Sequence, residues 1–374
     1  MQKMQLRDNN KNLFRDSSDN WEDWRWQLRN RIRSLDEFSR LAGIGSADLA
    51  KLAAVTKQLR FGITPFYAQM MLQSGVGGPL WKQVIPDLQE LEICPHLNRD
   101  PLDEEADSPV SGLIHRYDNR VVLLLTDRCA VYCRYCNRRR RAVEQESDIG
   151  KREIADWIRY LSAHPGIHEV ILSGGDPLTW TDARLAELLK ELKKISSVEI
   201  VRICSRMPVT LPFRITEELC ITLNANHPIY LNLHINHSEE ITPEFAAACH
   251  LLTSHGIPLG SQTVLLRGVN DQAEILIRLY RELLKLRVKP YALYQADPAQ
   301  GTAQFRVSVI KGRELMREVI AKSSGLAVPH YIVDVPRGVG KIPILPDFII
   351  EASKGKVMLR SLDGREVTYY DGDD

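Results

Sequence analysis

Residues 121–141 read VVLLLTDRCAVYCRYCNRRRR. The short apolar run Val121 to Leu125 reads as a buried strand. It is followed at once by a polar loop in which Cys129, Cys133 and Cys136 stand at spacing C-x3-C-x2-C. Three thiolates on one short loop can bind three irons of a cubane 4Fe-4S cluster, since soft sulfur suits iron, and the fourth iron is then free to be chelated by a small molecule. A zinc site completed by a distant His or Cys, or three clustered core cysteines, are the competing readings. Structural zinc favours paired C-x2-C units, and a loop this polar makes a poor core.

Working outward, β-rich runs recur at Val170 to Leu172, Glu199 to Cys204, Tyr230 to His234, Ser261 to Leu265 and Tyr291 to Tyr294. Amphipathic helical patterns lie between them at Arg152 to Ala163, Asp182 to Ile195, Thr216 to Leu223, Pro243 to His255 and Gln272 to Leu286. Strand and helix alternating at roughly 30 residues per unit predict an α/β fold with a parallel sheet, open or curled into a barrel. Functional groups are then expected in loops at the strand C-terminal ends. Residues 1–110 read as a mainly helical region, in which Trp21, Trp24 and Leu28 share a helical face expected to pack on the next domain. Residues 111–310 hold the barrel. Residues 311–374 hold a helix near Lys311 to Ser323, the glycine-rich loop VDVPRGVGKIPILP and a hairpin turning at Asp363 and Gly364.

The 374 residues carry 49 Lys plus Arg against 48 Asp plus Glu, and a net charge of +1 offers no field for nucleic acid or an anionic membrane. There is no run of about 20 apolar residues and no apolar secretory segment, so a cytoplasmic location is expected. Seven cysteines without a signal peptide point to reduced thiols. Cys94, Cys204, Cys220 and Cys249 read as small core residues.

Four further features read ambiguously from the residues. Ser173-Gly174-Gly175-Asp176 ends the second strand: two glycines allow close backbone approach and a carboxylate can accept from an ammonium, but such a sequence is commonly just a turn. Lys341, after Gly338 and Gly340, departs from a phosphate-binding P-loop, because Val335 and Ile342 stand where Gly and Ser or Thr are needed. It reads either as a surface lysine or as a Schiff-base lysine for pyridoxal phosphate. The run Arg138 to Arg141 reads as surface charge, and Asp297 and Asp334 singly as loop or capping residues.

Together, EADSPVSGLIHRY, CRYCNRRR, ILSGGDPL, EIVRICSRMPV, LNLHINH, VLLRGVND and VDVPRGVGKIPILP resemble the lysine 2,3-aminomutase family of the radical S-adenosylmethionine superfamily, in pattern and order over nearly the whole chain. The resemblance implies a partial (β/α)6 radical-SAM barrel with an N-terminal helical region, a C-terminal lysine loop and a β-hairpin. It implies Cys129, Cys133 and Cys136 as cluster ligands, and S-adenosyl-L-methionine against Gly174, Gly175, Asp176, Ser205, His234 and Gln262. Lys341 matches the lysine that carries pyridoxal 5'-phosphate, with Arg116 and Arg120 around its phosphate. Arg138 matches the residue binding the amino acid's α-carboxylate, and Asp297 and Asp334 those holding a distal ε-ammonium.

The activity so implied is an isomerase reaction converting L-lysine to β-lysine by migration of the amino group, fed by an electron donor such as flavodoxin or ferredoxin. The alternatives are the same chemistry on arginine or glutamate, β-lysine supply for modification of a translation factor, a relative performing elimination, or a non-catalytic iron-sulfur binding module. Longer family members have a cysteine-rich tail that binds zinc with a neighbouring subunit's cysteine. Here the sequence stops at Asp374 and Gln272 stands where that bridging cysteine would be. A homo-oligomer is thus expected to lack that zinc link.

Overall fold

The computed structural model of the protein describes residues 20–43, 52–143, 146–336, 339–353 and 356–370. Gly338, singled out above, lies outside the described residues. The barrel begins with an antiparallel pair, β1 (Leu113–Tyr117) and β2 (Arg120–Leu124). Parallel pairing then runs in chain order through β3 (Glu169–Ser173), β4 (Ile200–Ser205), β5 (Ile229–His234), β6 (Leu259–Leu265), β7 (Val288–Gln295) and β8 (His330–Val335). A short antiparallel strand, β9 (Gly340–Pro343), ends this nine-stranded sheet. A separate antiparallel sheet contains β10 (Ile349–Ser353), β11 (Lys356–Arg360) and β12 (Glu366–Tyr370).

Each strand from β2 to β7 overlaps a run expected from the sequence, with at least one end shifted by a residue or more, and the expected helices form between them as Lys151–Ala163, Asp182–Lys193, Glu217–Asn224, Pro243–Ser254 and Ala273–Lys285. Thr181, Thr216 and Thr242 cap three of these helices, each hydroxyl accepting a bond from a backbone N–H of the first turn. The strands alternate despite being parallel. In β3, Val170 and Leu172 are fully buried, while Glu169, Ile171 and Ser173 border the interior cavity. In β4, Val201, Ile203 and Ser205 are buried while Arg202 and Cys204 face that cavity. A period of two persists because the inside of this sheet surrounds a space instead of a packed core.

Three corrections to the sequence reading follow. The segments holding Asp334 and Lys341 are strands, β8 and β9, paired Asp334 to Lys341, and not a loop. Gly340, at φ +78°, and Pro343 obscured the short strand, whose pairing partner gives no local signal. Cys204 lines the cavity, and Cys94 is half-buried; only Cys220 and Cys249 of the four expected core cysteines are buried. Trp21 precedes the helix Trp24–Arg29, yet the packing expectation stands: Trp24 is buried, with the Arg214 guanidinium 4.5 Å above its ring. Among the described residues, no helix is long and apolar enough to cross a membrane.

Candidate active site

One cavity of about 520 Å³ occupies the interior of the sheet. The loop after β2 brings Cys129, Cys133 and Cys136 to its wall, the ends of β3 and β5 bring Gly174, Gly175, Asp176 and His234, and the middle of β6 brings Gln262. Arg138, Asp297, Asp334, Lys341, Arg116 and Arg120 line it as well. Ser205 stands one layer back, donating to Asp176 Oδ1 at 2.7 Å.

The three thiols share one wall. Burial, then the charge of Asp176 and the neighbouring thiols, push Cys129 upward, and burial and Cys133 push Cys136 to about 11, so these two do not ionise readily by themselves. The Arg206 guanidinium lies 2.6 Å from Cys133 Sγ. Among the described residues, no three His, Cys, Asp or Glu side chains are already drawn into a metal cage. As a donor set the thiols nevertheless fit an iron-sulfur cluster: a cationic group is what would stabilise thiolates in this buried position.

The glycine pair has a geometric necessity. Gly174 has φ +123°, and a Cβ on it would lie 2.6 Å from the Thr126 carbonyl oxygen; one on Gly175 would lie 2.4 Å from that of Arg128. Both close contacts are to the backbone of the cysteine loop. Asp176 accepts from Leu178 N, Ser205 Oγ, Arg206 N and Met207 N at 2.7–3.1 Å, which uses all its acceptor sites inside the chain. Burial raises its pKa to about 6 against the pull of those bonds. Burial, then Arg206 and Arg138, lower His234 to about 4 and keep the imidazole neutral.

At the other end, Lys341 Nζ forms an ion pair with Asp334 Oδ2, and Arg116 Nη1 lies 3.5 Å from Asp334 Oδ1. Arg116 is also paired with Asp107 at 2.7 Å. Arg120, at the N-terminal end of β2, stacks 3.8 Å over the Tyr117 ring and, among the described residues, has no carboxylate partner. An aldehyde cofactor with an anionic group fits this end by the chemistry of its donors: an amine for the carbonyl and, for the anion, a guanidinium bonded to the Asn119 amide oxygen but, among the described residues, not to an acid.

Asp297 accepts from Asn137 Nδ2 at 2.8 Å. Burial, and next the charge of Asp334, raise its pKa to about 7. Arg139, Arg140 and Arg141 pair with carboxylates, Arg139 with Glu90 at 2.7 Å, consistent with structural roles. The sequence reading missed Asn137, Tyr117 and Glu104. Asn137 directly follows the last motif cysteine, and Glu104 and Tyr117 lie in or beside EADSPVSGLIHRY; those positions were the only available signal.

A nearly closed parallel sheet carrying a three-cysteine loop after its first parallel strand defines a radical S-adenosylmethionine enzyme, and the Radical SAM superfamily profile matches residues 123–280. The chain belongs to the lysine 2,3-aminomutase family, whose Lysine-2,3-aminomutase profile matches residues 316–374. It is 44% identical over 358 residues to an L-lysine 2,3-aminomutase of Clostridium subterminale, covering 96% of this chain and 86% of that protein. A putative L-lysine 2,3-aminomutase of Aquifex aeolicus is 38% identical, with 93% of this chain and 95% of that one covered. A glutamate 2,3-aminomutase of Clostridioides difficile is 37% identical, covering 96% of this chain and 85% of that protein.

Proposed function

We propose that this protein converts L-lysine to β-lysine by moving the α-amino group to the neighbouring carbon, using a 4Fe-4S cluster, S-adenosyl-L-methionine and pyridoxal 5'-phosphate. The observation that carries this reading is a single cavity shared by three cysteine thiols, the Lys341 ammonium and the carboxylates Asp297 and Asp334. When bound, the reduced cluster with S-adenosylmethionine supplies the means to remove and return a hydrogen atom, and pyridoxal phosphate supplies a π-system for the migrating nitrogen.

The chain's own residues bind, orient and exclude water. Cys129, Cys133 and Cys136 hold the cluster. Gly174, Gly175, His234 and Gln262, braced by Asp176 and Ser205, form the wall for S-adenosylmethionine. Lys341 is the attachment amine for pyridoxal phosphate, with Arg120, and behind it Arg116, toward the phosphate. Arg138 receives the substrate carboxylate. Asp334 already faces two cations, the Lys341 ammonium and the Arg116 guanidinium, and the substrate's ε-ammonium has the same chemistry as the first. Asp297 is the second acid. A glutamate side chain would set a third carboxylate beside these two, which like-charge repulsion opposes. The barrel's depth keeps the reacting atoms oriented and dry. An electron donor of the flavodoxin or ferredoxin type is required for reduction.

Anaerobic reconstitution with iron, sulfide, both organic cofactors and reductant, followed by mass spectrometry against lysine, arginine and glutamate, tests the reading. β-Lysine with 5′-deoxyadenosine is the expected result. Absence of any β-amino product from lysine would overturn the substrate, and absence of 5′-deoxyadenosine with every amino acid would overturn the chemistry. Borohydride should fix the pyridoxal label on Lys341, and Lys341→Arg, which keeps the charge opposite Asp334, should take up none; label on another lysine refutes the assignment.

A further inference from the structure

Arg138 does not stand freely in the cavity. Its Nε lies 2.8 and 3.1 Å from the two oxygens of Glu104, and its Nη2 lies 2.7 Å from Glu104 Oε1. One whole edge of the guanidinium is therefore occupied by a carboxylate of this chain. The remaining nitrogen, Nη1, donates to Ser173 Oγ at 3.1 Å, and Ser173 is the cavity-facing residue that ends β3. Glu104 is itself 4% exposed and is held in place by a second guanidinium, Arg140 Nη2 at 3.0 Å. Leu102, two residues earlier, accepts from Arg116 through its backbone carbonyl. Burial alone would raise the Glu104 carboxyl, but Arg138 and Arg140 draw it down to about 2, so it is charged at any working pH.

We propose that Glu104 is a positioning residue for the carboxylate end of the substrate pocket: it consumes the Nε–Nη2 edge of Arg138 and aims Nη1, beside the Ser173 hydroxyl, at the incoming carboxylate. This rests on Arg138 being the carboxylate receptor. A guanidinium on a flexible stem can offer any edge to an acid, and the orientation with both Nε and Nη2 forward would be the stronger fork. Glu104 forbids that orientation. What faces the cavity is one charged N–H end and a hydroxyl that accepts from it and keeps its own hydrogen to donate. Two donors of different kind, fixed about 3 Å apart, suit the two oxygens of one carboxylate and set the tilt of the Cα–Cβ bond along which the amino group must move. Arg140 completes the logic from behind, since a glutamate clamped by two arginines cannot swing away to release the first.

The test compares lysine with 1,5-diaminopentane, which keeps both amines and lacks the carboxylate. Dissociation constants are measured by calorimetry on the protein loaded with its cofactors but unreduced, so that no turnover occurs. In the unaltered protein, lysine should bind more tightly than the diamine. Glu104→Gln, which keeps the shape and removes the charge, should weaken lysine by about tenfold or more and leave the diamine within about twofold, with Glu104→Asp recovering part of the loss. Ser173→Ala, which leaves the buried ion pairs intact, should reduce the preference in the same direction even if Glu104→Gln folds poorly. Equal weakening of both ligands by Glu104→Gln and Ser173→Ala would mark their roles as merely structural and overturn the proposal. Arg138→Gln separates the two readings: if it abolishes the preference while Glu104→Gln and Ser173→Ala keep it, only the positioning role fails. If Arg138→Gln keeps the preference, the carboxylate assignment itself falls.

Discussion

Asp297 gives the most specific expectation for a single side chain. Its pKa, raised by burial and then by Asp334 to about 7, means that the free pocket holds this carboxyl half neutral at neutral pH. An ε-ammonium is best met by the charged form, so the apparent KM for lysine should rise as pH falls below 7, by up to about tenfold per pH unit, and Asp297→Asn should flatten that slope, raising KM most above pH 7. The linked stability has the opposite sign. Below pH 4 both folded and unfolded chains carry the proton; between about 4 and 7 only the folded chain keeps it, so this group's contribution is lost as pH rises through that window. The cofactor-free Asp297→Asn chain should therefore gain roughly 2 kcal/mol over the parent between pH 4 and pH 8 in paired denaturant titrations, allowing for water that reaches the cavity. A parallel pH dependence in the two chains would remove Asp297 from this account. Its partner Asn137 lies 160 residues away in sequence. Cys129, Cys133 and Cys136 were legible because a loop motif is local. Asn137 and Glu104 were not, because their significance comes from partners that only the fold brings near.

Among the elements, the joint between the end of β3 and the cysteine loop bears most directly on cofactor binding. Gly175 N donates to Thr126 O at 2.5 Å and Asp176 N to Arg128 O at 2.8 Å, so backbone bonds stitch the loop to the strand end. Gly175→Ala would drive a methyl group into the Arg128 carbonyl, a clash that must push the cysteine loop away. The expected outcome is a loss of stability on the order of 2–4 kcal/mol in thermal unfolding, with less iron retained per chain after reconstitution. Normal iron content would show that the loop tolerates the shift. The same joint shows how much pattern reading achieved. β2 through β7 were evident because each is an apolar run followed by an amphipathic helix. β1, with His115, Arg116 and Tyr117, lacks an apolar run. β8 was hidden because it pairs with the distant β7, and β9, although it folds straight back on β8, was hidden because Gly340 and Pro343 disguise a four-residue strand as a loop.

Across the molecule, the N-terminal region is built into the site. Arg31 donates to the carbonyl of Cys129, and Glu90 pairs with Arg134 at 2.6 Å and Arg139 at 2.7 Å, with Glu90 and Arg134 fully buried. Removing the carboxylate leaves two buried guanidiniums without their acid. Glu90→Gln is accordingly expected to cost about 3–5 kcal/mol and to lower the iron content together with the melting temperature. An unchanged melting temperature would show that water replaces the carboxylate there.

The two ends of the nine-stranded sheet meet at one place. Lys341 N donates to the Tyr117 hydroxyl at 2.8 Å, and Gly340 lies so close to the Tyr117 ring that a Cβ would come within 2.5 Å of its oxygen. Everywhere else the wall is a continuous backbone ladder, whereas here side chains close the seam: the Tyr117 phenol on the Lys341 amide and, one strand further in, Arg116 of β1 on Asp334 of β8. Opening β9 breaks four residue pairings with β8, the Lys341–Asp334 ion pair and one bond to Tyr117. On the proposed role of Lys341, this seam is where a bulky aldehyde would be admitted. Amides of β9 should exchange with deuterium well before those of β3 to β6, and Tyr117→Phe should quicken both that exchange and the uptake of pyridoxal phosphate.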